Sequence, residues 1–374
     1  MLKNPFVTNG YAGAKYFCDR EEETQNILSL LENENNVALI SPRRIGKTDL
    51  LRHCFNCKEM TDNYYTFIID IYATTSTRDF VNVFGKAIIE ELRPKGRKVW
   101  EKFINILSSL RSEISFDING MPVWGMNIGS ISNPDITLDE IFKYLNAAEC
   151  PCIVAIDEFQ QITNYDNNHI EAALRTYIQR CTNAHFVFSG SHRHLMGEMF
   201  TSPSRPFYQS VTIINLAPIP KDKYCQFALN MFEDYGKQLD CEVPHILYEK
   251  FNAVTSYLQR VMNVLFLKTP EGGICKTEMI DDAINYILDM SSDTYNSILY
   301  LMPEKQRDVF TAIAKEGEAK NVLSGSFVKR HALTSPSSVK SAITGLLDKD
   351  FITYNRGTYK VYDKFFELWL LRMI

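Results

Sequence analysis

Gly46, Lys47 and Thr48 stand between the apolar run Val37–Ile40 and a sequence with helical periodicity. Backbone N–H groups of such a loop, at the positive end of the helix that follows, can bind phosphate oxygens. The lysine then neutralises the β and γ oxygens and the threonine hydroxyl reaches Mg²⁺. We therefore predict that ATP or ADP binds with Mg²⁺ at a phosphate loop comprising Ser41, Pro42, Arg43, Arg44, Ile45, Gly46, Lys47, Thr48 and Asp49.

The first position of this loop departs from the usual pattern. Ser41 stands where glycine is usual. Glycine at that position relieves a tight turn, so Ser41 either tolerates the geometry or uses its hydroxyl within the turn. Arg43 and Arg44 add positive charge beside the phosphates, or face solvent or a second domain.

A second motif, the acidic pair Asp157-Glu158, directly follows the apolar run 152–156. A carboxylate at the end of a neighbouring strand can complete a magnesium shell, and an adjacent acid can polarise the attacking water. We predict Thr48 and Asp157 as the magnesium-binding pair. We predict Glu158 as the catalytic carboxylate that polarises the attacking water. Alone, an Asp-Glu pair could equally cap a helix, so the prediction depends on its combination with the phosphate loop.

Hydrolysis also requires groups that sense the γ-phosphate. Ser189 ends the apolar run 185–188, and Arg193 and Arg205 follow it. The serine could bind the attacking water or a phosphate oxygen, and either arginine could approach the γ-phosphate in cis or across a subunit interface. The alternative for each arginine is an ordinary surface position. Together with Lys47 and Glu158, these three residues complete the predicted catalytic set.

The histidine and cysteine patterns do not predict a metal centre. His192 and His194 lack carboxylate or cysteine partners at ligand spacing, which favours ordinary loop histidines. The pairs Cys54/Cys57 and Cys150/Cys152 lack a second pair, so buried reduced cysteines are expected. The amino terminus shows no secretory pattern, and no stretch approaches the roughly 18 apolar residues that span a bilayer. We expect a cytoplasmic protein without a membrane segment.

Short apolar runs alternate with helical stretches over the first half of the chain. This alternation is typical of an α/β fold with a parallel sheet covered by helices. Five strands are predicted, at 37–40, 65–70, 152–156, 185–188 and 211–216. An insertion at about 114–132 reads as a β-hairpin turning at Asn119-Gly120, and it either covers the edge of the sheet or contacts a partner.

The second half of the chain has a different periodicity. Beyond Ala217-Pro218-Ile219-Pro220 the pattern is helical as far as Met302, and Pro303 then opens three helices followed by two short strands and a last helix. Three helices and a hairpin are typical of a winged helix. We predict an ATPase core at 1–218, a helical lid at 219–302 and a winged helix at 303–374.

The motifs occur in an order that resembles a known group, the archaeal-type predicted ATPases of the STAND branch of AAA-like P-loop proteins, many of which occur in Bacteroidetes. The resemblance spans nearly the whole chain and rests on the following segments: Asn4-Pro5-Phe6, Phe17 to Glu23, Ser41 to Thr48, Asp157 to Gln160, Phe188 to Ser191 and Tyr359 to Leu370.

This resemblance implies an ASCE-type ATPase core, a helical lid and a winged helix. It also implies that the stretches around Phe6 and Phe17 lie near the adenine, so that Phe6 and Arg20 contact the base and the sugar. The lid of the family often carries a Gly-x-Pro element, which is absent around Thr255–Gln259. A contribution of the lid to the nucleotide is therefore not predicted.

The charge of the chain bears on its partners. The formal net charge of −5 argues against a protein that coats nucleic acid through bulk charge. From Pro303 onward, however, 12 Lys and Arg face 8 Asp and Glu, so this segment carries +4 and the remainder −9. A basic module on an acidic body could face DNA. The residues that would do so are Lys329, Arg330, Lys340 and Arg356.

Three functions agree with these features. The first is a slow, Mg²⁺-dependent ATPase that acts as a nucleotide-driven switch on a protein partner. The second is an ATP-gated DNA-binding protein, although the third helix of the winged-helix segment carries a single basic residue, Lys340. The third is a protein-interaction module locked with ADP, which binds nucleotide without turnover.

Overall fold

The chain folds as two compact units. Residues 9–223 form the core unit, and residues 3–8 together with residues 224–374 form the carboxyl-terminal unit. The predicted boundary between a lid at 219–302 and a winged helix at 303–374 falls inside the second unit and stays a prediction. This computed structural model describes residues 3–107, 109, 114–118, 120–124, 131, 133–165 and 169–374.

A five-stranded sheet forms the centre of the core unit. Every neighbouring pair of its strands is parallel. This confirms the predicted α/β class with a parallel five-stranded sheet. The strands are β1 Val37–Ile40, β2 Tyr65–Asp70, β5 Cys152–Asp157, β6 Ala184–Gly190 and β7 Thr212–Asn215, in the spatial order β2-β5-β6-β1-β7.

Helices cover both faces of this sheet because successive strand residues point to opposite sides. Val37 and Leu39 lie in one buried cluster with apolar residues of α1 and α2, while Ala38 and Ile40 lie in the other with residues of α4 and α6. The helices of the core unit are α1 Glu21–Glu32, α2 Lys47–Phe55, α3 Lys58–Asn63, α4 Thr77–Leu92, α5 Arg97–Ile106, α6 Pro134–Ala147, α7 Ile170–Arg180 and α8 Arg193–Thr201.

The predicted hairpin is present as two short antiparallel strands. β3 Ile114–Phe116 pairs with β4 Pro122–Trp124, and Gly120 N–H donates to the Asp117 carbonyl in the turn. The pair forms a separate sheet and makes no strand pairing with β2 or β7 in the described part of the chain. Asn119, residues 125–130 and residue 132 of the predicted insertion lie outside the described residues.

The carboxyl-terminal unit begins with helices and one short parallel strand pair. Residues 4–6 belong to it, since Asn4 Nδ2 donates to the Asn263 carbonyl at 2.9 Å and Asn263 Nδ2 donates to the Phe6 carbonyl at 2.7 Å. Its first elements are α9 Lys221–Glu233, β8 Gln238–Leu239, α10 Glu242–Lys250, α11 Thr255–Lys268, β9 Ile274–Cys275 and α12 Met279–Leu301.

The last elements form the winged helix that the sequence predicts. Arg356, with a φ of 47°, lies at the tip of the hairpin between the last two strands, followed by Gly357 at 85°. A third, two-residue strand joins the hairpin in the order β10-β12-β11 and was too short to be predicted from a pattern. The elements are α13 Glu304–Glu316, β10 Ala319–Lys320, α14 Gly325–Arg330, α15 Pro336–Asp348, β11 Ile352–Asn355, β12 Thr358–Val361 and α16 Lys364–Met373.

Candidate nucleotide site

The candidate site lies where three neighbouring strands of the sheet end. β5, β6 and β1 lie side by side and run parallel, so their carboxyl ends meet at one edge of the sheet. β5 ends in Asp157, β6 ends in Gly190, and β1 leads into the loop before Lys47. Open α/β sheets bind ligands at this edge.

Backbone geometry in the phosphate loop explains two of its residues. Gly46 has a φ of 92° at the start of α2, a conformation that side chains disfavour, and a Cβ there would meet open space. Ser41 is fully buried; its hydroxyl donates to the Pro42 carbonyl at 2.9 Å. The serine that replaces glycine therefore uses its hydroxyl inside the turn, which was one of the two alternatives left by the sequence.

The carboxylate of Asp157 is the centre of the hydrogen-bonded group. Its Oδ2 accepts from the Thr48 hydroxyl at 2.5 Å, and its Oδ1 accepts from the Ser189 hydroxyl at 2.6 Å and from the Glu158 N–H at 3.0 Å. Asp157 is buried, and Ser189 has no exposed surface. The Ser189 hydroxyl therefore holds the Asp157 carboxylate, and its predicted contact with the attacking water or a phosphate oxygen stays a prediction.

Lys47 lies at the start of α2 with its side chain buried. Its Nζ is 3.5 Å from the Pro42 carbonyl oxygen. Burial lowers the pKa of Lys47, and the nearby carboxylates of Glu158 and Asp157 oppose that shift. The ammonium is thus held among groups that only partly replace its hydration, in a position where phosphate oxygens would compensate it.

Glu158 is held by two donors on the same oxygen. Ser191 Oγ donates to Glu158 Oε2 at 2.7 Å, and Gln160 Nε2 donates to it at 2.5 Å. Arg43 Nε in turn donates to Ser191 Oγ at 3.2 Å. A continuous path of hydrogen bonds therefore connects the phosphate loop to the predicted catalytic acid.

Two further carboxylates face this group. Burial raises the pKa of Asp49, and the charge of Asp157 adds to that effect. Burial also raises the pKa of Asp70, with smaller contributions from Asp157 and Glu158, although its side chain keeps exposed surface. The Asp157 carboxylate thus repels those of Asp49 and Asp70, the Arg52 charge offsets part of that repulsion, and a divalent cation would offset more of it.

The two residues proposed for base and sugar contact have other roles. The Phe6 ring has no exposed surface and packs against Phe227, Phe232 and Phe266 at centroid distances of 6.2, 5.7 and 5.9 Å. This corrects the prediction for Phe6, since a fully buried ring has no accessible face on which a base could stack. The buried Arg20 guanidinium donates to Glu23 at 2.5 Å and to the Ala217 carbonyl at 2.8 Å, which connects α1 to the segment after β7.

The two arginines that were predicted to contact the γ-phosphate differ in their exposure and in their partners. Arg193 is exposed at the first position of α8, two residues after Ser191, so it stays a prediction. Arg205 forms an ion pair with Glu171 of α7, with an Nη2–Oε2 distance of 2.9 Å. A role of Arg205 at the phosphate would require that partly buried pair to break, and the structure does not favour it.

The metal and membrane expectations can also be compared with the structure. None of the nine cysteines, all of which lie in the described residues, forms a disulfide, and burial raises the pKa of the Cys54 and Cys152 thiols to about 12. His192 and His194 are exposed, and the described residues contain no metal-binding cluster of His, Cys, Asp and Glu side chains. Within the described ranges, no helix is both long enough and apolar enough to cross a bilayer.

Sequence reasoning missed Ser191, Gln160 and Gly190 as individual site residues. A Cβ on Gly190 would lie 2.5 Å from both Gln160 Oε1 and Met196 Sδ, so the close approach of these side chains requires glycine. A signal was available, because small polar residues directly after a buried strand lie at the same edge as the phosphate loop. The hydrogen bonds from Ser191 and Gln160 to Glu158 depend on side-chain directions, and spacing in the sequence does not give those directions.

Comparison with known proteins agrees with this geometry. Residues 17–258 match the family described as an ATPase domain predominantly from Archaea, and residues 293–372 match a probable winged helix domain. Among sequence relatives, an uncharacterized ATP-binding protein of Methanocaldococcus jannaschii is 28% identical over 156 residues, which cover 39% of this chain and 43% of that protein. The alignment thus spans less than half of that relative.

Solved structures share the fold. The Walker-type ATPase of Pyrococcus abyssi has a TM-score of 0.65 at 18% identity, covering 98% of this chain and 99% of its own. The ORC1 protein of Aeropyrum pernix, solved in complex with DNA, has a TM-score of 0.56 at 12% identity, covering 100% of this chain and 98% of its own.

Fold and site define a P-loop nucleotide-binding protein with a carboxyl-terminal winged helix. The chain belongs to the family of ATPase domains found predominantly in Archaea, and it is an ATP-binding protein of the P-loop type.

Proposed function

We propose that this chain is a Mg²⁺-dependent ATPase that acts as a slow nucleotide-driven switch. The carrying observation is the Asp157 carboxylate, which accepts hydroxyl hydrogen bonds from Thr48 of the phosphate loop and Ser189 of β6 while Glu158 stands next to it. This arrangement supplies a metal-binding carboxylate, a phosphate-loop hydroxyl and a second acid in one hydrogen-bonded group.

The residues present fit a magnesium ion. Thr48 and Asp157 offer hard oxygen ligands 2.5 Å apart. The charge of Asp157 adds to the effect of burial on the pKa values of Asp49 and Asp70, and a cation would offset that charge. Thr48 and Asp157 would hold the ion directly or through water. When bound, Mg²⁺ would neutralise charge on the β and γ phosphate oxygens.

The remaining roles belong to side chains of the chain itself. Lys47 would neutralise phosphate oxygens from its buried position at the start of α2. Glu158 would orient and polarise the attacking water, and Ser191 and Gln160 fix the direction of its carboxylate. Arg193, exposed beside this group, is the better of the two candidates for γ-phosphate contact in cis or in trans.

A switch requires that nucleotide state change an interaction elsewhere. The hydrogen-bonded path from Arg43 through Ser191 to Glu158 supports such a change, because a phosphate in the loop would compete with Ser191 for the Arg43 guanidinium. The winged helix belongs to the other compact unit and offers a surface for a protein partner.

Single-turnover hydrolysis of ATP with Mg²⁺ tests the proposal. We expect turnover by the wild type, nucleotide binding without turnover by Glu158→Gln, and loss of binding by Lys47→Ala. Glu149→Gln, at an exposed glutamate before β5, is the matched control and should leave turnover unchanged. Tight nucleotide binding by Lys47→Ala would contradict the site, and wild-type binding without turnover would favour an ADP-locked interaction module.

A second function, ATP-gated DNA binding, is supported by the winged-helix match and by exposed cations on it. Lys329, Lys340 and Arg356 are exposed, on α14, on α15 and at the hairpin tip. The neighbour of known structure from Aeropyrum pernix was solved with DNA, which adds weight to this alternative. Adding duplex DNA to the turnover assay separates the two functions, since only a DNA-gated ATPase should accelerate.

A further inference from the structure

The wing of the winged helix carries an aromatic pair that plays no part in the nucleotide site. The wing consists of β11 and β12, joined by a tight turn, with β10 beside β12. Tyr354 of β11 lies directly opposite Tyr359 of β12. Their ring centroids are 4.7 Å apart at an interplanar angle of 41°. These two residues are called the wing tyrosines below.

The wing tyrosines reach solvent, whereas the pair before them on the same face does not. Ile352 and Val361 lie opposite each other and are buried. Because successive strand residues point to opposite faces, Tyr354 and Tyr359 continue the face of that buried pair. Tyr354 is 55% exposed, and Tyr359 is half-buried. An apolar ring surface is therefore accessible to a ligand near the tip of the wing.

Positive charge predominates on the wing. Arg356 is exposed in the turn between the two tyrosines, and Lys320 of β10 and Lys360 of β12 are exposed as well. The one carboxylate of the wing sequence is Glu318, directly before β10, and it pairs with Lys360. The hydrogen bond from Lys360 lowers the pKa of Glu318, and the charge of Lys320 adds to that effect. Three cations against one carboxylate leave the wing with a charge of +2.

We propose that the wing tyrosines bind the unpaired bases of a single-stranded nucleic acid. Their rings would stack on bases, and Arg356 would contact the adjoining phosphates. Aromatic side chains beside a positively charged path for the backbone are the means by which proteins bind single strands with little sequence preference. In an intact duplex each base face is covered by the next base pair, so accessible rings favour bases that are not paired.

This site differs from the duplex-binding alternative in what it recognises. Duplex binding relies on phosphate contacts of Lys329, Lys340 and Arg356, whereas the wing tyrosines would contact base faces. The wing also belongs to the carboxyl-terminal unit and the phosphate loop to the core unit. A failure to hydrolyse ATP would therefore leave this proposal intact, and a failure to bind single strands would leave the nucleotide site intact.

Fluorescence anisotropy of the full chain with three labelled probes tests the site. The probes are an oligothymidine, an oligouridine and an abasic oligodeoxynucleotide of the same length. The abasic probe keeps the phosphates and lacks the bases, so its affinity measures the contribution of charge. We expect at least one base-bearing probe to bind about tenfold more tightly than the abasic probe, because stacking on an aromatic side chain contributes that much per base. The tighter of the two identifies single-stranded DNA or RNA as the preferred ligand.

Substitutions of Tyr354 assign the effect to its ring. Tyr354→Val removes the ring and keeps a residue that favours strands, so affinity for the base-bearing probe should fall by about tenfold. Tyr354→Phe retains the ring and should bind as the wild type does. Tyr300→Val is the matched control, because it removes an exposed tyrosine from the last turn of α12, and it should leave affinity unchanged.

The comparison of probes uses the wild type, so it does not depend on the stability of Tyr354→Val, which loses a cross-strand aromatic pair. Duplex DNA of the same length is a further reference, and Tyr354→Val should leave its affinity unchanged. Absent binding of both base-bearing probes, or equal affinity for all three probes, would overturn the proposal. So would a loss for Tyr354→Phe as large as that for Tyr354→Val, or a loss of duplex affinity as large as the loss for single strands.

Discussion

Glu158 receives both of its side-chain hydrogen bonds on one oxygen, and its backbone has a φ of 55° in the left-handed region. A non-glycine residue in that conformation persists where the surroundings determine it, as they often do at functional sites. Here the surroundings are Ser191 after β6 and Gln160 in the turn after β5. The direction of the carboxylate is therefore set by two residues that are not themselves acids or bases.

Replacing Ser191 tests that positioning. Ser191→Ala removes one donor to Glu158 and the acceptor used by Arg43, so we expect kcat for ATP to fall by about tenfold with little change in KM. Ser191→Thr retains the hydroxyl and should restore most of the rate. A rise in kcat for Ser191→Ala in steady-state assays would show instead that Ser191 restrains Glu158.

The buried ammonium of Lys47 has a consequence for proton linkage. Its pKa is lowered in the free protein, and bound phosphate should raise it again because the opposite charge favours the protonated form. Between the two pKa values, nucleotide binding should therefore take up protons. Calorimetric titrations at a series of pH values below the ordinary lysine pKa of about 10.4, in buffers that differ in ionisation enthalpy, measure this uptake directly.

Two variants serve as references for that measurement. Lys47→Met should bind weakly and without proton uptake, whereas Lys143→Met, at an exposed lysine of α6, should behave as the wild type. Equal proton uptake by the wild type and by a binding-competent Lys47 variant would assign the linkage to another group.

At this scale the sequence was informative about residue types and weak about their partners. The spacing of Lys47, Thr48 and Asp157 was sufficient to place them at one edge of a parallel sheet. The spacing did not give the direction of Ser189. It also did not reveal that Phe6 packs among three rings of the carboxyl-terminal unit, far away in the sequence, because long-range packing leaves no local pattern.

The carboxyl end of β6 is the element on which the site depends most. Gly190 closes the strand, its carbonyl accepts from the Ser41 N–H at 3.3 Å, and it lies against the buried side chains of Gln160 and Met196. Three parts of the site, namely the loop, the turn after β5 and the start of α8, therefore meet at a residue without a side chain.

Gly190→Ala should disturb both stability and turnover. The added Cβ would lie 2.5 Å from Gln160 Oε1 and Met196 Sδ, and overpacking of this kind costs about 1–3 kcal/mol. Displaced Gln160 would no longer donate to Glu158, so the rate should fall as well. Urea unfolding and single-turnover hydrolysis measure the two effects.

Gly197→Ala is the matched control for that substitution. Gly197 lies inside α8, where a Cβ would meet nothing within 4 Å. Alanine in a helix is favoured over glycine by about 1 kcal/mol, so this variant should be more stable and equally active. If both variants shift stability in the same direction, crowding at Gly190 is not the cause.

Elements with a long periodic pattern were predictable, and short ones were not. The five strands of the sheet and the helices of the winged helix follow from apolar runs and periodicity, because burial on one or two faces imposes those patterns. β8, β9 and β10 are two residues long and are defined by their pairing partners. No local sequence signal distinguishes such strands from loops.

For the whole molecule, the distribution of charge distinguishes the two proposed functions. The segment from Pro303 onward carries +4 on a chain whose net charge is −5. Some of that positive charge is already neutralised, since Arg330 pairs with Glu316 at 2.6 Å and Lys360 pairs with Glu318. Arg356 at the hairpin tip and Lys340 on α15 remain as exposed cations without a described ion pair.

DNA binding by the winged helix should therefore depend on Lys340 and Arg356 and little on Arg330. If this surface contacts phosphates, Arg356→Gln and Lys340→Gln should each weaken binding to duplex DNA. Each should also reduce the slope of the logarithm of the DNA-binding constant against the logarithm of salt concentration by about 1. Arg330→Gln is the matched control, because its charge is already paired with Glu316.

Fluorescence anisotropy with a mixed duplex at several salt concentrations measures all four proteins, including the wild type. Equal losses for the three variants would assign the effect to net charge, and absent binding by the wild type would leave a protein partner as the target of the switch.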